Sequence, residues 1–257
     1  KCLLGQHGGR AHTRQNRRVL CLFFGCMTKE PLFRVAVTCR HHACEMMANY
    51  ALEGLIGWVA NDPEDAAGWL RAHAGFFIVP FVDKDGVEDG DQGKGRQPRD
   101  HGRDYEGASR YLETAAIRDQ LPRWAGDRLR VGMDLHCPWI AGAHNEVIYQ
   151  VGAAAPCVEA EQREFSAFLE AGARGPLPFR QSDFLPFGTA WNTVDNFAGG
   201  RSFARWVREL PGIALGTAIE IPYANAGGAE VNPDSARAFG RDLGRALAAY
   251  LRALPER

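Results

Sequence analysis

The chain has 257 residues, of which 46% are hydrophobic and 24% charged, and its formal net charge is −1. That length and apolar content suit one large core-bearing domain, and no apolar run approaches the roughly 20 residues of a membrane span. The balanced charge excludes a general electrostatic pull toward nucleic acid or an anionic membrane, so neither is expected as a partner.

The chain opens KCLLGQ without Met, which leaves room for an upstream signal segment or N-terminal domain. GQHGGR lacks the Gly-Lys-Ser/Thr ending of a phosphate loop and reads as a flexible terminus. Arg10, Arg14, Arg17 and Arg18 cluster next, but no aromatic residues alternate with them, so they read as a solvated basic edge. Seven cysteines without a CxxC pair argue against a disulfide framework and favour a reducing, cytoplasmic setting.

Residues 18–24 and 32–39 read as strands, the second nearly continuous in apolar residues as a buried strand should be. From 44 to 60 the residues Met47, Tyr50, Ala51, Leu55, Trp58 and Val59 recur at helical steps, and a short helix over 66–74 follows. A third buried strand at 76–82 leads into a polar Gly- and Asp-rich stretch over 83–107, long enough to suggest a functional loop. Asp83, Asp85 and Asp89 hint at a calcium loop, but Lys94 stands where an EF-hand needs Glu. Beyond it the pattern predicts a helix at 109–121, strands at 129–135 and 146–151, and a helix at 158–171. Residues 176–200 show no period. A helix at 202–210, a strand at 213–221 and a long helix over 233–254 capped by Asn232 complete the chain. Alternating strands and helices without a repeat or linker predict a single α/β domain, with a central mixed, mostly parallel sheet and helices on both faces.

The informative segment is CRHHACEMMAN at 39–49. His42 and Glu45 lie one helical turn apart where a strand hands over to a helix, so both side chains can reach one ion. Imidazole nitrogen and carboxylate oxygen both suit zinc. Alone, that pair also reads as a surface His and a first-turn Glu favoured by the helix dipole. His136 follows a buried strand in MDLH, and strand ends are where open α/β sheets bind ligands. Two His and one Glu form an open zinc set with a position left for water. Glu220, in GTAIEIPY, is a carboxylate in an otherwise apolar strand. It is costly there unless paired or useful, and as a general base it would serve a metal-activated water.

These pieces resemble the zinc carboxypeptidase (funnelin) family, and they run through nearly the whole chain in family order. TRQNRRVLCLFFG at 13–25 is similar to the opening glycine-arginine segment, RHHACE to the first ligand pair, FVDKDGV to the Asn-Pro-Asp-Gly turn, MDLH to the third ligand and TAIE to the base segment. The resemblance implies a catalytic domain over 1–257 holding one zinc ion through His42, Glu45 and His136, with Glu220 as base. The substrate it implies is a peptide or protein C-terminus. It implies a carboxylate behind a ligand histidine at Asp104, in the Gly-x-Asp-x-Asn-Arg position, and an oxyanion arginine at Arg96, with Arg99 or Arg103 as alternatives. Glu106-Gly107 stands where that alignment expects Asn-Arg, so a terminal-carboxylate clamp would fall to Arg99, Arg103 or Arg201. An aspartoacylase/desuccinylase-like amidohydrolase and an inactive zinc-binding module are the competing readings.

Overall fold

The computed structural model describes residues 12–255; Arg10 and the GQHGGR segment lie outside them. Within that span the chain runs β1 (Leu22–Gly25), β2 (Phe33–Cys39), α1 (Met46–Asn61), α2 (Asp65–His73), β3 (Ala74–Val79), α3 (Lys84–Asp89) and α4 (Leu112–Ala125). It continues through β4 (Leu129–His136), β5 (Tyr149–Gln150), α5 (Pro156–Gly172), α6 (Phe203–Val207), β6 (Leu215–Glu220), a small hairpin of β7 (Asn225–Ala226) and β8 (Ala229–Glu230), and α7 (Pro233–Ala253).

The six-stranded sheet has the order β1-β3-β2-β4-β6-β5. Its four central strands are parallel, and β1 and β5 close the edges antiparallel. Parallel central strands need helical crossovers, and both faces of the sheet are covered. Period-two alternation divides the side chains. Val35, Val37, Phe76 and Ile78 face a layer of α1, α2, α5 and α7, whereas Ala36, Phe77 and Val79 meet α4 and α6. The architecture is therefore the mixed, mostly parallel α/β domain that the sequence predicts.

Several boundaries differ from expectation for identifiable reasons. The polar stretch 83–107 contains α3, because the Asp83 side chain accepts a hydrogen bond from Gly86 N and Gly90 ends the turn in the left-handed conformation. The helix predicted from 109 starts at Leu112, because the Asp104 carboxylate takes the backbone N–H groups of Arg110 and Tyr111 and ties down the preceding residues. The strand predicted at 146–151 keeps two regular residues. Its flanks, Ile148 and Val151, bridge instead to Phe179 and Leu185. Arg14 and Arg17 are not a free basic edge: Arg17 pairs with Asp85 and Asp89, and Arg14 lies over the Tyr111 ring.

Helix α7 starts in a capping box, the Asn232 side chain accepting from Ser235 N while the Ser235 hydroxyl accepts from Asn232 N. It lies against α1 at very short range, since a Cβ on Gly240 would sit 1.9 Å from the Ala51 carbonyl oxygen and one on Gly54 2.0 Å from that of Arg237. Gly240→Ala should therefore separate the two helices and destabilise the protein by about 1–3 kcal/mol, the usual range for overpacking. A chemical-denaturation midpoint unchanged from the parent would refute that packing.

Candidate metal centre and its cavity

Parallel pairing brings the C-terminal ends of β2, β4 and β6 to one edge of the sheet. The chain leaves β2 through Arg40, a non-glycine residue at φ 61°, and turns so that His42 and Glu45 face the same edge. A left-handed residue there costs energy and marks a turn that its surroundings over-determine. Arg40 is held by Asn49 Oδ1 at 2.8 Å and by the Ala43 carbonyl. His136 ends β4, and its register partner on β6 is Glu220, so sheet geometry alone places these two side by side.

The four residues His42, Glu45, His136 and Glu220 come together. His42 Nδ1 lies 2.7 Å from Glu45 Oε1, and His136 Nδ1 lies 2.8 Å from Glu45 Oε2. Both imidazoles thus aim the same nitrogen at one buried carboxylate, and the three residues offer donor atoms within 4.8 Å of one another. The opposite ring nitrogens are also held by carboxylates: His42 Nε2 is 3.0 Å from Asp100 Oδ1, and His136 Nε2 is 2.7 Å from Asp134 Oδ2. A histidine whose far nitrogen is fixed by a carboxylate has its tautomer set for metal binding. The donor set fits a divalent first-row ion such as zinc.

Asp134 anchors a further chain, with Thr38 Oγ1 donating to it at 2.8 Å and His41 Nδ1 lying 2.9 Å away; His41 Nε2 is 2.8 Å from the buried Tyr105 hydroxyl.

Burial alone would push the Glu45 carboxyl up, but the fields and hydrogen bonds of His42 and His136 hold it well below the usual range. For His136 burial opposes charge, and Asp134 and Glu45 overcome it, raising that imidazole. His42 is likewise pushed up to about 9, burial opposing and Glu45 and Asp100 prevailing. Glu220 moves the other way from Glu45. Burial raises it, and the opposing pull of His136 and Lys94 does not restore it against the Glu45 charge.

The sign of the His42 shift gives a stability forecast for chelated protein. A group raised from about 6.5 when unfolded stabilises fully below that pH, and the contribution is lost as pH climbs through about 9. Melting temperatures of chelated protein should therefore fall between pH 7 and 10, and His42→Ala should flatten that slope. An equally steep profile in the variant would refute the assignment.

A cavity of about 820 Å³ opens beside this cluster. Glu220, His42, His136, Lys94 and Arg103 reach its wall, with Tyr149, Trp191 and Phe197 supplying aromatic surface. Glu220 is 8% exposed, and its Oε2 has no hydrogen-bond partner among the described residues.

Two residues do not hold the positions the resemblance implies. Asp104 touches no candidate ligand histidine. Its oxygens are consumed by Arg110 N, Tyr111 N and the Thr114 hydroxyl, and Asp100 takes the place behind His42. Arg96 is absent from the cavity wall, because Asp83 at 3.1 Å and Asp91 draw its guanidinium away. Lys94 occupies the wall instead, with Nζ 2.9 Å from Glu45 Oε1 and also donating to the Cys137 carbonyl. Arg99 lies 3.7 Å from Asp104, and Arg201 is paired with Glu209. Arg103 has no carboxylate within 4 Å among the described residues. It rests over the Phe197 ring and donates to the Asn196 carbonyl.

Fold and donor set together define an α/β protein built around a candidate metal centre at the ends of parallel strands. More particularly, it has the metallo-carboxypeptidase fold. A metallo-carboxypeptidase from Burkholderia cenocepacia superposes with a TM-score of 0.72 at 21% identity, over 98% of this chain and 64% of that one. One from Pseudomonas aeruginosa, in complex with (2-guanidinoethylmercapto)succinic acid, gives 0.69 at 19% identity, over 95% and 64%. Carboxypeptidase A from Helicoverpa armigera gives 0.68 at 13% identity, over 98% and 68%. The chain thus spans somewhat under two thirds of the length of the bacterial proteins. No protein-family model matches the sequence, and no curated protein matches it by sequence comparison. Among the described residues no helix is long and apolar enough to cross a membrane.

Proposed function

We propose that the chain is the catalytic domain of a zinc metallocarboxypeptidase that hydrolyses peptide amide bonds near a C-terminus. The observation that carries this reading is the convergence of His42, Glu45 and His136 beside a Glu220 oxygen without a hydrogen-bond partner, at the wall of a peptide-sized cavity. His42, Glu45 and His136 would hold the ion, oriented by Asp100 and Asp134. When bound, zinc supplies Lewis-acid chemistry, polarising a carbonyl and lowering the pKa of water toward neutrality.

The remaining steps belong to the protein. Arg103 receives the substrate's terminal carboxylate: like Arg205 it lines the cavity with no acidic partner within 4 Å among the described residues, and it alone of the two lies in the field of Glu220 and Asp134, so it replaces a clamp sought at Glu106-Gly107. Lys94, rather than Arg96, faces the developing negative charge on the carbonyl oxygen. Glu220 accepts a proton from the attacking water and returns it to the leaving amine. Burial raises its pKa, which strengthens it as a base for the first transfer.

The test is a panel of peptides with free and amidated C-termini, assayed with and without chelator beside N-acyl amino acids. Cleavage of free-ended peptides alone, abolished by chelation, is expected. Arg103→Ala should cost about 10- to 100-fold in kcat/KM, the scale of a lost charged hydrogen bond, mostly through KM. Preferential hydrolysis of N-acyl amino acids would favour an aspartoacylase-like activity, and no metal-dependent turnover would favour a binding module.

A further inference from the structure

A second group of ionisable side chains lies outside the cavity. Asp83 follows β3, His101 sits in the one-turn 3-10 helix just before Asp104, and Glu113 is in the first turn of α4. They are 0%, 1% and 2% exposed respectively. Each offers a possible ligand atom, and these atoms all lie within 4.8 Å of one another.

The hydrogen bonds within the group leave a defined gap. His101 Nε2 is 2.9 Å from Glu113 Oε1, so the ring donates there and its Nδ1 carries a lone pair. Asp83 uses Oδ1 for Gly86 N and for Arg96 at 3.1 Å. Asp83 Oδ2, His101 Nδ1 and Glu113 Oε2 are left buried without a hydrogen-bond partner. Asp83 Oδ2 and His101 Nδ1 face each other at 3.8 Å. That separation is too long for a hydrogen bond. It does suit two ligands around a shared ion, because bonds of about 2.0–2.2 Å at tetrahedral or slightly wider angles hold donor atoms roughly 3.4–3.8 Å apart.

Charge points the same way. Asp83 pairs with Arg96 at 3.1 Å, a guanidinium that Asp91 also engages, whereas Glu113 has no Lys or Arg within 4 Å among the described residues and meets only the His101 ring. Buried charge is tolerated when paired or bound to metal. The mixed oxygen and imidazole set suits zinc or manganese.

We infer that Asp83, His101 and Glu113 form a second, structural divalent-cation site, distinct from the His42–Glu45–His136 centre. Asp83 Oδ2 and His101 Nδ1 are its ligands, and Glu113 fixes the imidazole through Oε1 from the far side of the ring. The ion pins the polar stretch between β3 and α4, which carries Lys94, Asp100 and Arg103, to the end of a core strand.

The test reads metal content and does not depend on turnover. Protein loaded with zinc and dialysed should hold two equivalents, and the His42→Ala/His136→Ala double variant should keep one. X-ray absorption of that ion should show nitrogen and oxygen neighbours at about 2.0–2.2 Å and no sulfur. Adding Glu113→Gln, which preserves shape, should lower the affinity of the retained ion about 10- to 100-fold, the scale for losing a carboxylate behind a ligand histidine. His101→Gln serves as the second variant should that protein not fold. A double variant that binds no zinc or manganese would overturn the inference, as would unchanged affinity after Glu113→Gln and His101→Gln. Failure of the proposed peptidase activity would leave these readouts untouched.

Discussion

Glu220→Gln should lower kcat by about 100- to 10,000-fold, the range that positioned acid–base catalysis contributes. The amide keeps the size and hydrogen-bonding reach of the carboxylate but cannot accept the proton. KM for a free-ended peptide should change little, since Glu220 is not assigned to substrate binding. Zinc content should stay constant for the same reason. A carboxylate kept for stability predicts the opposite pattern: breaking a buried charge pair costs about 3–5 kcal/mol, whereas turnover would survive. No salt bridge engages Glu220 among the described residues, and its Oε2 lacks a partner, so the catalytic pattern is the expected one. Measuring kcat, zinc content and thermal midpoint on one preparation separates the two. Near-parental turnover with a large loss of stability would show that Glu220 is a structural residue.

The second large effect is expected from the ligand set. His136→Ala removes one of two imidazoles that converge on Glu45, and zinc affinity at that centre should fall by more than the 10- to 100-fold typical of losing an outer hydrogen-bond partner alone. Asp100→Asn and Asp134→Asn supply that comparison, because each retains shape while weakening the hold on His42 or His136. The order of affinities should be parent, then the Asn variants, then His136→Ala. Competition against a chromophoric chelator measures it. If His136→Ala binds zinc at the centre as tightly as the parent, the ligand assignment is wrong.

The parts of this arrangement that could be read in the sequence follow regular backbone periods. β2 and β4 are buried, mostly apolar strands, and residues at or just beyond the ends of such strands emerge at the edge of the sheet, which is what points to His42 and His136. Asp134 is legible in the same way. It lies two residues before His136 on the same strand, so the two side chains share a face. Nothing periodic distinguishes Asp100 from Asp104, or Arg96 from Lys94 and Arg103. All lie between α3 and α4, where the path is set by local carboxylates and by the docking of α4. Asp104 looks like a histidine partner by its neighbours in sequence but is absorbed by the backbone N–H groups ahead of α4. Arg96 is diverted by Asp83 and Asp91, a competition visible once the chain is folded.

The contact between α1 and α7 bears on when the protein becomes able to hold an ion during its own synthesis. α1 begins one residue after Glu45, and its inner face is closed by a helix that follows every other described element in chain order. Domains assemble largely as units while the chain emerges, and pairings between distant segments come late. Until α7 has left the ribosome, the helix that positions Glu45 lacks its main packing partner, and β6 has only just supplied Glu220. A nascent chain would therefore present scattered histidines and carboxylates rather than a binding site, so metal capture would follow the docking of α7 rather than guide the earlier stages of folding.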